Sequence, residues 1–300
     1  MQKYSRYLLL LLSVVLLHTA VRAQDANSPD NNVKLIRQME DSLSISADSM
    51  YIAFLPDTRR FYSERFARQL VRALKITDSW SYEFPELAKK INILYPDDRS
   101  FRIFNWEIAP TEDSRRYYGA IQMKSPTLKL YGLVDYSQQL GKGAEDSVFT
   151  GGKWMGCLYY RINQQTVDGQ PVYTLFGLNA AGRMSNKKVL DPLTFTESGP
   201  VFGAPIFAVN SELLPGERIK RFILEFKKEV QVSMNWDSER GNIYFDDLVS
   251  QVNDPARKYT YVPSGQINGF KWDNGQWNYI RDIVQIVPRK DGEAPINEPR

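Results

Sequence analysis

Hydrophobic positions change their spacing twice along this chain. The first stretch is a solid apolar run, Leu8 to Leu17, interrupted only by Ser13. Lys3 and Arg6 precede it, and Val21-Arg22-Ala23 follow it. A cationic start, a short apolar segment and small residues at the −3 and −1 positions predict a secretory signal peptide over residues 1–23, with the mature chain beginning at Gln24. The run is about half the ~20 apolar residues a spanning helix needs, so cleavage rather than anchoring is expected. Residues 24–32 (QDANSPDNN) carry no apolar pattern and are predicted to be disordered.

Helical spacing governs residues 33–96. Leu35, Ile36, Met39 and Leu43 recur at helical intervals. Phe66, Leu70, Ala73 and Leu74 then share a face, with Arg65, Arg68, Arg72 and Lys75 mostly off it. Asp57 or Thr58 is the expected cap of this second helix. Phe84-Pro85-Glu86-Leu87-Ala88 predicts a short third helix ending before Pro96.

Beyond Asp97 the period becomes two. Phe101–Ile108 and Tyr117–Met123 read as a strand pair. Further strand-like runs occupy 127–136, 154–162, 172–178, 187–193, 201–209, 219–226, 230–236, 242–245, 269–272 and 276–283. Turn pairs such as Asp168-Gly169 and Arg240-Gly241 separate many of them. The separations leave no room for crossover helices, so an antiparallel meander is expected over residues 97–286. The fold class is therefore α+β, with N-terminal helices followed by a long antiparallel β-meander. Ten or more strands must curl, close or split, which leaves a curved sheet, a barrel and a sandwich open. Asn274-Gly275 between Trp272 and Trp277 predicts a two-residue type I′ hairpin, because both central residues of that turn need positive φ. Residues 287–300 are rich in proline and charge and are expected to form a mobile tail.

Composition narrows the chemistry. His18 is the only histidine and would leave with the leader. The mature chain then lacks a histidine general base, a histidine-containing triad and any histidine metal ligand. Lys3, Arg6 and Arg22 leave too, which takes the 38 basic residues to 35 against 35 acidic ones. No excess positive field remains to attract nucleic acid. Cys157 is the only cysteine, so no intrachain disulfide forms. Its neighbours are apolar, and it reads as a small buried hydrophobe.

The carboxylate pairs Asp97-Asp98, Glu112-Asp113, Glu145-Asp146 and Asp246-Asp247 are the remaining catalytic material. Sequence neighbours usually point apart, whereas glycosidases hold two carboxyl groups across a cleft. Asp237 to Asn242 fails the calcium-loop rule, since its glycine comes one place early and Arg240 would repel the ion. No catalytic residue, metal ligand or cofactor is assigned. Aromatics are the most suggestive feature. Trp154, Tyr159, Tyr160, Trp272 and Trp277 cluster in two β segments and are the candidate binding residues, able to stack on sugars or grip a partner's strand. Read as one strand, 154–160 places Trp154, Leu158 and Tyr160 on one face and Met155, Cys157 and Tyr159 on the other.

Phe101–Trp106 (FRIFNW), Tyr117-Tyr118-Gly119, Leu175-Phe176-Gly177-Leu178, Lys187-Lys188-Val189-Leu190-Asp191 and Pro200-Val201-Phe202-Gly203 resemble runs in a family of uncharacterised exported proteins of Bacteroidetes. The resemblance covers about residues 60–285. It implies an envelope location in a Gram-negative cell and carries no activity, cofactor or site residue. The C-terminus lacks the terminal β-domain of that phylum's sorted cargo, so the periplasm is expected rather than the cell surface or exterior. The sequence thus points to a non-catalytic periplasmic or envelope protein that binds another macromolecule, either an envelope protein or a glycan. The alternative is a histidine-free, carboxylate-dependent enzyme acting on glycans.

Overall fold

The computed structural model describes residues 29–111, 114–139, 143–209 and 218–283. The predicted leader, residues 24–28 and the predicted tail lie outside these. Helix α1 spans Pro29–Ile52 and α2 spans Pro56–Leu74. Residues 29–32 therefore begin a helix instead of belonging to a disordered segment. In α1 the buried apolar positions are Ile36, Leu43, Ala47 and Met50, with Asn32, Glu40 and Ser46 buried beside them, while Leu35 faces outward. In α2 Phe66, Leu70, Ala73 and Leu74 are buried together, as their spacing predicts. Neither Asp57 nor Thr58 caps α2. The cap position is Leu55, with no side-chain cap, and Pro56 follows inside the first turn, where its missing N–H costs nothing. The third helix shrinks to a 3₁₀ turn, Leu87–Lys89, because Phe84 takes a φ of 55° and drops its ring into the core.

The strands divide among three sheets. The first contains, in spatial order, β1 (Asn92–Leu94), β2 (Phe101–Ile108), β3 (Arg116–Met123), β4 (Leu130–Asp135) and β5 (Lys153–Trp154). The second runs from β6 (Leu158–Val167) through β7 (Gln170–Asn179) and β8 (Ser185–Thr196) to β12 (Phe222–Lys227), and β9 (Gly199–Phe202) also pairs with β8. The third has the order β11 (Arg218–Ile219), β10 (Phe207–Ala208), β16 (Gln276–Ile280), β15 (Tyr261–Asp273), β14 (Asn242–Ser250) and β13 (Met234–Asp237). Pairing is antiparallel except for two short contacts, β4 with β5 and β10 with β16. β1 falls inside the stretch predicted to be helical.

Side-chain alternation stacks these parts into four layers. On β2, Phe104, Trp106 and Ile108 join the core shared with α1 and α2, while Phe101 and Ile103 join the core shared with the second sheet. On β7 and β8, Leu175, Val189 and Leu193 face the first sheet, and Phe176 and Leu190 face the third. The second sheet is thus covered on both sides, which is why β7 is apolar at consecutive positions. The fold is α+β, as the spacing predicts: two N-terminal helices followed by three antiparallel-rich sheets, one of them curled into a half-barrel.

Two local readings meet opposite outcomes. Trp272 pairs with Trp277 and Asp273 with Gln276 around Asn274 (φ 50°) and Gly275 (φ 73°), the hairpin predicted from Asn-Gly. The 154–160 run, by contrast, is not one strand. β5 ends at Trp154 and β6 starts at Leu158, because Gly156 adopts a φ of 66° with the Asp135 carboxylate packed where a Cβ would be. The break puts Trp154 and Tyr159 in the same core instead of on opposite faces.

Candidate functional site

The structure does not bring the five candidate aromatics to a common surface. Trp154, Tyr159 and Trp277 are fully buried. Trp154 and Tyr159 lie with ring centroids 5.4 Å apart in the core between the first and second sheets. Trp277 belongs to the core between the second and third sheets, where its Nε1 donates to Thr174 Oγ1 at 3.0 Å. These three are packing residues and offer no ring face to a ligand. Tyr160 and Trp272 are half-buried at the margin of that second core. The Tyr160 hydroxyl donates to the Met234 carbonyl at 2.7 Å, and Lys188 Nζ sits 4.6 Å from its ring.

Buried polar chemistry exists, but it is sealed. Asp191 and Arg221 form an ion pair with Nε–Oδ1 of 2.7 Å, and both side chains are fully enclosed. Tyr159 donates its hydroxyl to the other Asp191 oxygen at 2.7 Å. Arg221 Nη1 donates to the Ala144 and Ser147 carbonyls, which ties the 144–147 loop to the second sheet. Burial pushes the Asp191 carboxyl up, against the opposing charge of Arg221. Cys157 is also enclosed, and burial followed by the Asp191 carboxylate raises its thiol well above the ordinary range. A protonated, inaccessible thiol is a poor nucleophile.

The accessible feature is a groove of about 1250 Å³ between the outer edge of the second sheet and the third sheet. Phe222, Ile223, Leu224 and Glu225 of β12 line it consecutively. Alternate residues of a strand point to opposite faces, so four in a row on one wall place the strand's edge along the groove. Among the described residues β12 pairs only with β8, and apart from the Val230 N–H on the Lys227 carbonyl at the strand's end, the backbone of 222–227 makes no hydrogen bond to any other segment. The Lys258–Thr260 turn packs closely against β12 and also reaches β8.

The opposite wall comes from β14, β15 and the turn between them. A register shift lies between Asp246 and Leu248, and it sends Asp247 out of the ladder. Asp247 then accepts from Ser264 Oγ and Asn268 Nδ2, each at 2.8 Å. Asp246 accepts the Ser233 N–H at 2.7 Å. Across the groove, Glu225 accepts from Ser185 Oγ at 2.5 Å and lies 3.6 Å from Lys187 Nζ. Tyr259, Tyr261 and Tyr279 supply rings, and Lys258 Nζ sits 4.5 Å from the centre of the Tyr261 ring. Burial, then the Asp247 carboxylate, raises the Tyr279 phenol above its ordinary value, so it stays a neutral donor and acceptor.

Of these residues the sequence flagged only Asp246-Asp247 and Glu145, as carboxylate pairs. Tyr259 and Tyr261 alternate in Lys258-Tyr259-Thr260-Tyr261-Val262, a period-two signal that could have extended the last hairpin's first strand backwards. The open edge of β12 leaves no mark in its own residues, because edge position depends on which strand pairs with which. Among the described residues no group of three or more Asp, Glu, Cys or His converges as a metal site. No helix among them is long and apolar enough to cross a membrane. The chain matches no known family pattern, no curated protein and no solved structure.

Proposed function

We propose that this is an exported, non-catalytic protein of the cell envelope that binds an extended segment of a partner polypeptide by adding it as a strand to β12. The observation that carries this reading is the unpaired six-residue edge of Phe222–Lys227 lining the groove. An exposed edge is a row of unsatisfied backbone donors and acceptors, and strand addition satisfies them. The groove exceeds the roughly 300–1,000 Å³ of small-molecule pockets, which suits an extended occupant. Its walls carry both signs of charge, with Glu225 and Asp247 against Lys187, Lys258 and Arg281. The leader pattern and the resemblance to exported Bacteroidetes proteins support an envelope location, with the periplasm as the expected compartment.

The enzymatic alternative is disfavoured by what the groove acids already do. Of the groove acids Glu145, Glu225, Asp246 and Asp247, the last three each accept a hydrogen bond from the protein itself. The carboxyl groups that burial does raise, Glu107 and Asp191, lie elsewhere. A second binding reading has its own support. Tyr259, Tyr261 and Tyr279, interleaved with donors and acceptors, could hold a glycan.

Backbone dependence separates the two. Extended peptides selected by display against the protein should bind, and N-methylation of the peptide should abolish binding at alternate positions only, because an added strand bonds through every second residue. An N-acetylglucosamine hexamer should neither bind nor compete. Failure of any displayed peptide to bind, indifference to N-methylation, or displacement by the hexamer would reject strand addition.

A further inference from the structure

We infer that the tip of the α1–α2 hairpin, with the outer face of α2, is a docking surface for an anionic lipid membrane. The tip exposes Ile52 (80 %), Phe54 (89 %) and Leu55 (58 %), and Phe61 follows one turn into α2 at 53 %. Single exposed apolar residues are ordinary on a protein surface, whereas four within ten positions at one corner are not. The corner is also built. Arg59 Nε donates to the Ala53 carbonyl at 2.6 Å, its Nη2 donates to the Phe54 carbonyl at 3.3 Å, and its Nη1 donates to the carbonyl of Ala109, just past the end of β2, at 2.7 Å. This clamp holds the backbone on both sides of the turn, so Phe54 is presented outward and does not fold back onto the helices.

Charge selects the occupant. The exposed stripe of α2 carries Arg60, Arg65, Arg68, Arg72 and Lys75 around Phe61, against Asp57 and Glu64 alone. Asp57 pairs with Arg60 at 3.0 Å and Glu64 with Arg68 at 3.9 Å. Arg65, Arg72 and Lys75 have no ion-pair partner among the described residues. An apolar wedge flanked by uncompensated cations on one helix face is the pattern that inserts shallowly beneath headgroups and is held by anionic lipid. A second copy of this chain would bring those cations against one another, which argues against a dimer through this face. The chain would then lie on the membrane surface without spanning it.

The test is co-sedimentation of the mature protein with vesicles of phosphatidylcholine alone or of phosphatidylcholine mixed with phosphatidylglycerol. Binding should require phosphatidylglycerol and fall with added salt. The pair Ile52→Ser and Phe54→Ser should weaken it roughly tenfold or more. The pair Arg65→Gln and Arg72→Gln should weaken it by about tenfold. All four positions are exposed, so thermal unfolding of both variants should match the parent. Absence of binding, equal binding to neutral vesicles, or insensitivity to either pair would overturn the inference. So would a dimeric mass in light scattering that Phe54→Ser converts to monomer.

Discussion

Asp191 and Arg221 stand 30 positions apart in sequence and meet with no exposure on either side chain. Burying both charges is costly, and removing one leaves the other uncompensated, at about 3–5 kcal/mol. Asp191→Asn should therefore destabilise the protein by about that amount in urea unfolding. Asp191→Leu combined with Arg221→Met should cost much less than the two single changes added together. Additive losses would show that the pair is not coupled. Two tyrosines make a separate prediction at this scale. Burial, then the hydrogen bond to Glu40, pushes Tyr82 up to about 12, and burial, with Asp98 beside it, does the same for Tyr173. An unfolded tyrosine ionises near ~10. A raised folded value means the stabilisation is complete below pH ~10 and is lost as pH climbs through 12. Unfolding free energy should fall across that window, and ultraviolet titration should find phenols that ionise late. A single titration with every tyrosine near ~10 would contradict this. None of these partnerships was visible in the sequence. Glu40 reads as a surface residue of a helix, yet it accepts the Glu86 and Leu87 N–H groups and the Tyr82 hydroxyl from 42 to 47 positions away.

Elements divide by how local their causes are. The Asn274-Gly275 hairpin follows from backbone sterics within four residues, and its register, Trp272 opposite Trp277, follows from the turn. The two rings meet edge to face with centroids 5.1 Å apart. A double-mutant cycle on the pair should give a coupling of about 0.5–1.5 kcal/mol. Gly275→Val should cost about 1 kcal/mol or more, because a branched side chain clashes at positive φ. A neutral Gly275→Val in thermal unfolding would reject the turn. The α2 face was legible for the same reason, since Phe66, Leu70, Ala73 and Leu74 carry their own period. The break at Gly156 was not, because the contact that bends it is the Asp135 carboxylate from another strand. That single bend decides where Trp154 and Tyr159 go. It is why these two are core residues, as Trp277 is, while Tyr160 and Trp272 stay half-buried.

At the scale of the whole molecule, the positions of most strands are legible, but their number and partition are not: twelve runs stand where the described residues form sixteen strands. Period-two runs mark where strands lie, but edge and centre are set by pairings such as β12 on β8 that join distant segments. The consecutive buried positions of β7 follow from its sheet being covered on both faces. The expected export is also tested on the whole chain. N-terminal sequencing of protein recovered from the envelope should begin at Gln24, and an intact Met1 would contradict the leader. The open edge of β12 remains the centre of the functional account. Its most direct test is amide hydrogen exchange across Phe222–Lys227, with and without a display-selected extended peptide. Strand addition predicts that alternate amides of β12, those not already bonded to β8, gain protection on binding. Unchanged exchange along β12, with protection confined to the Tyr259–Tyr261 side of the groove, would contradict it.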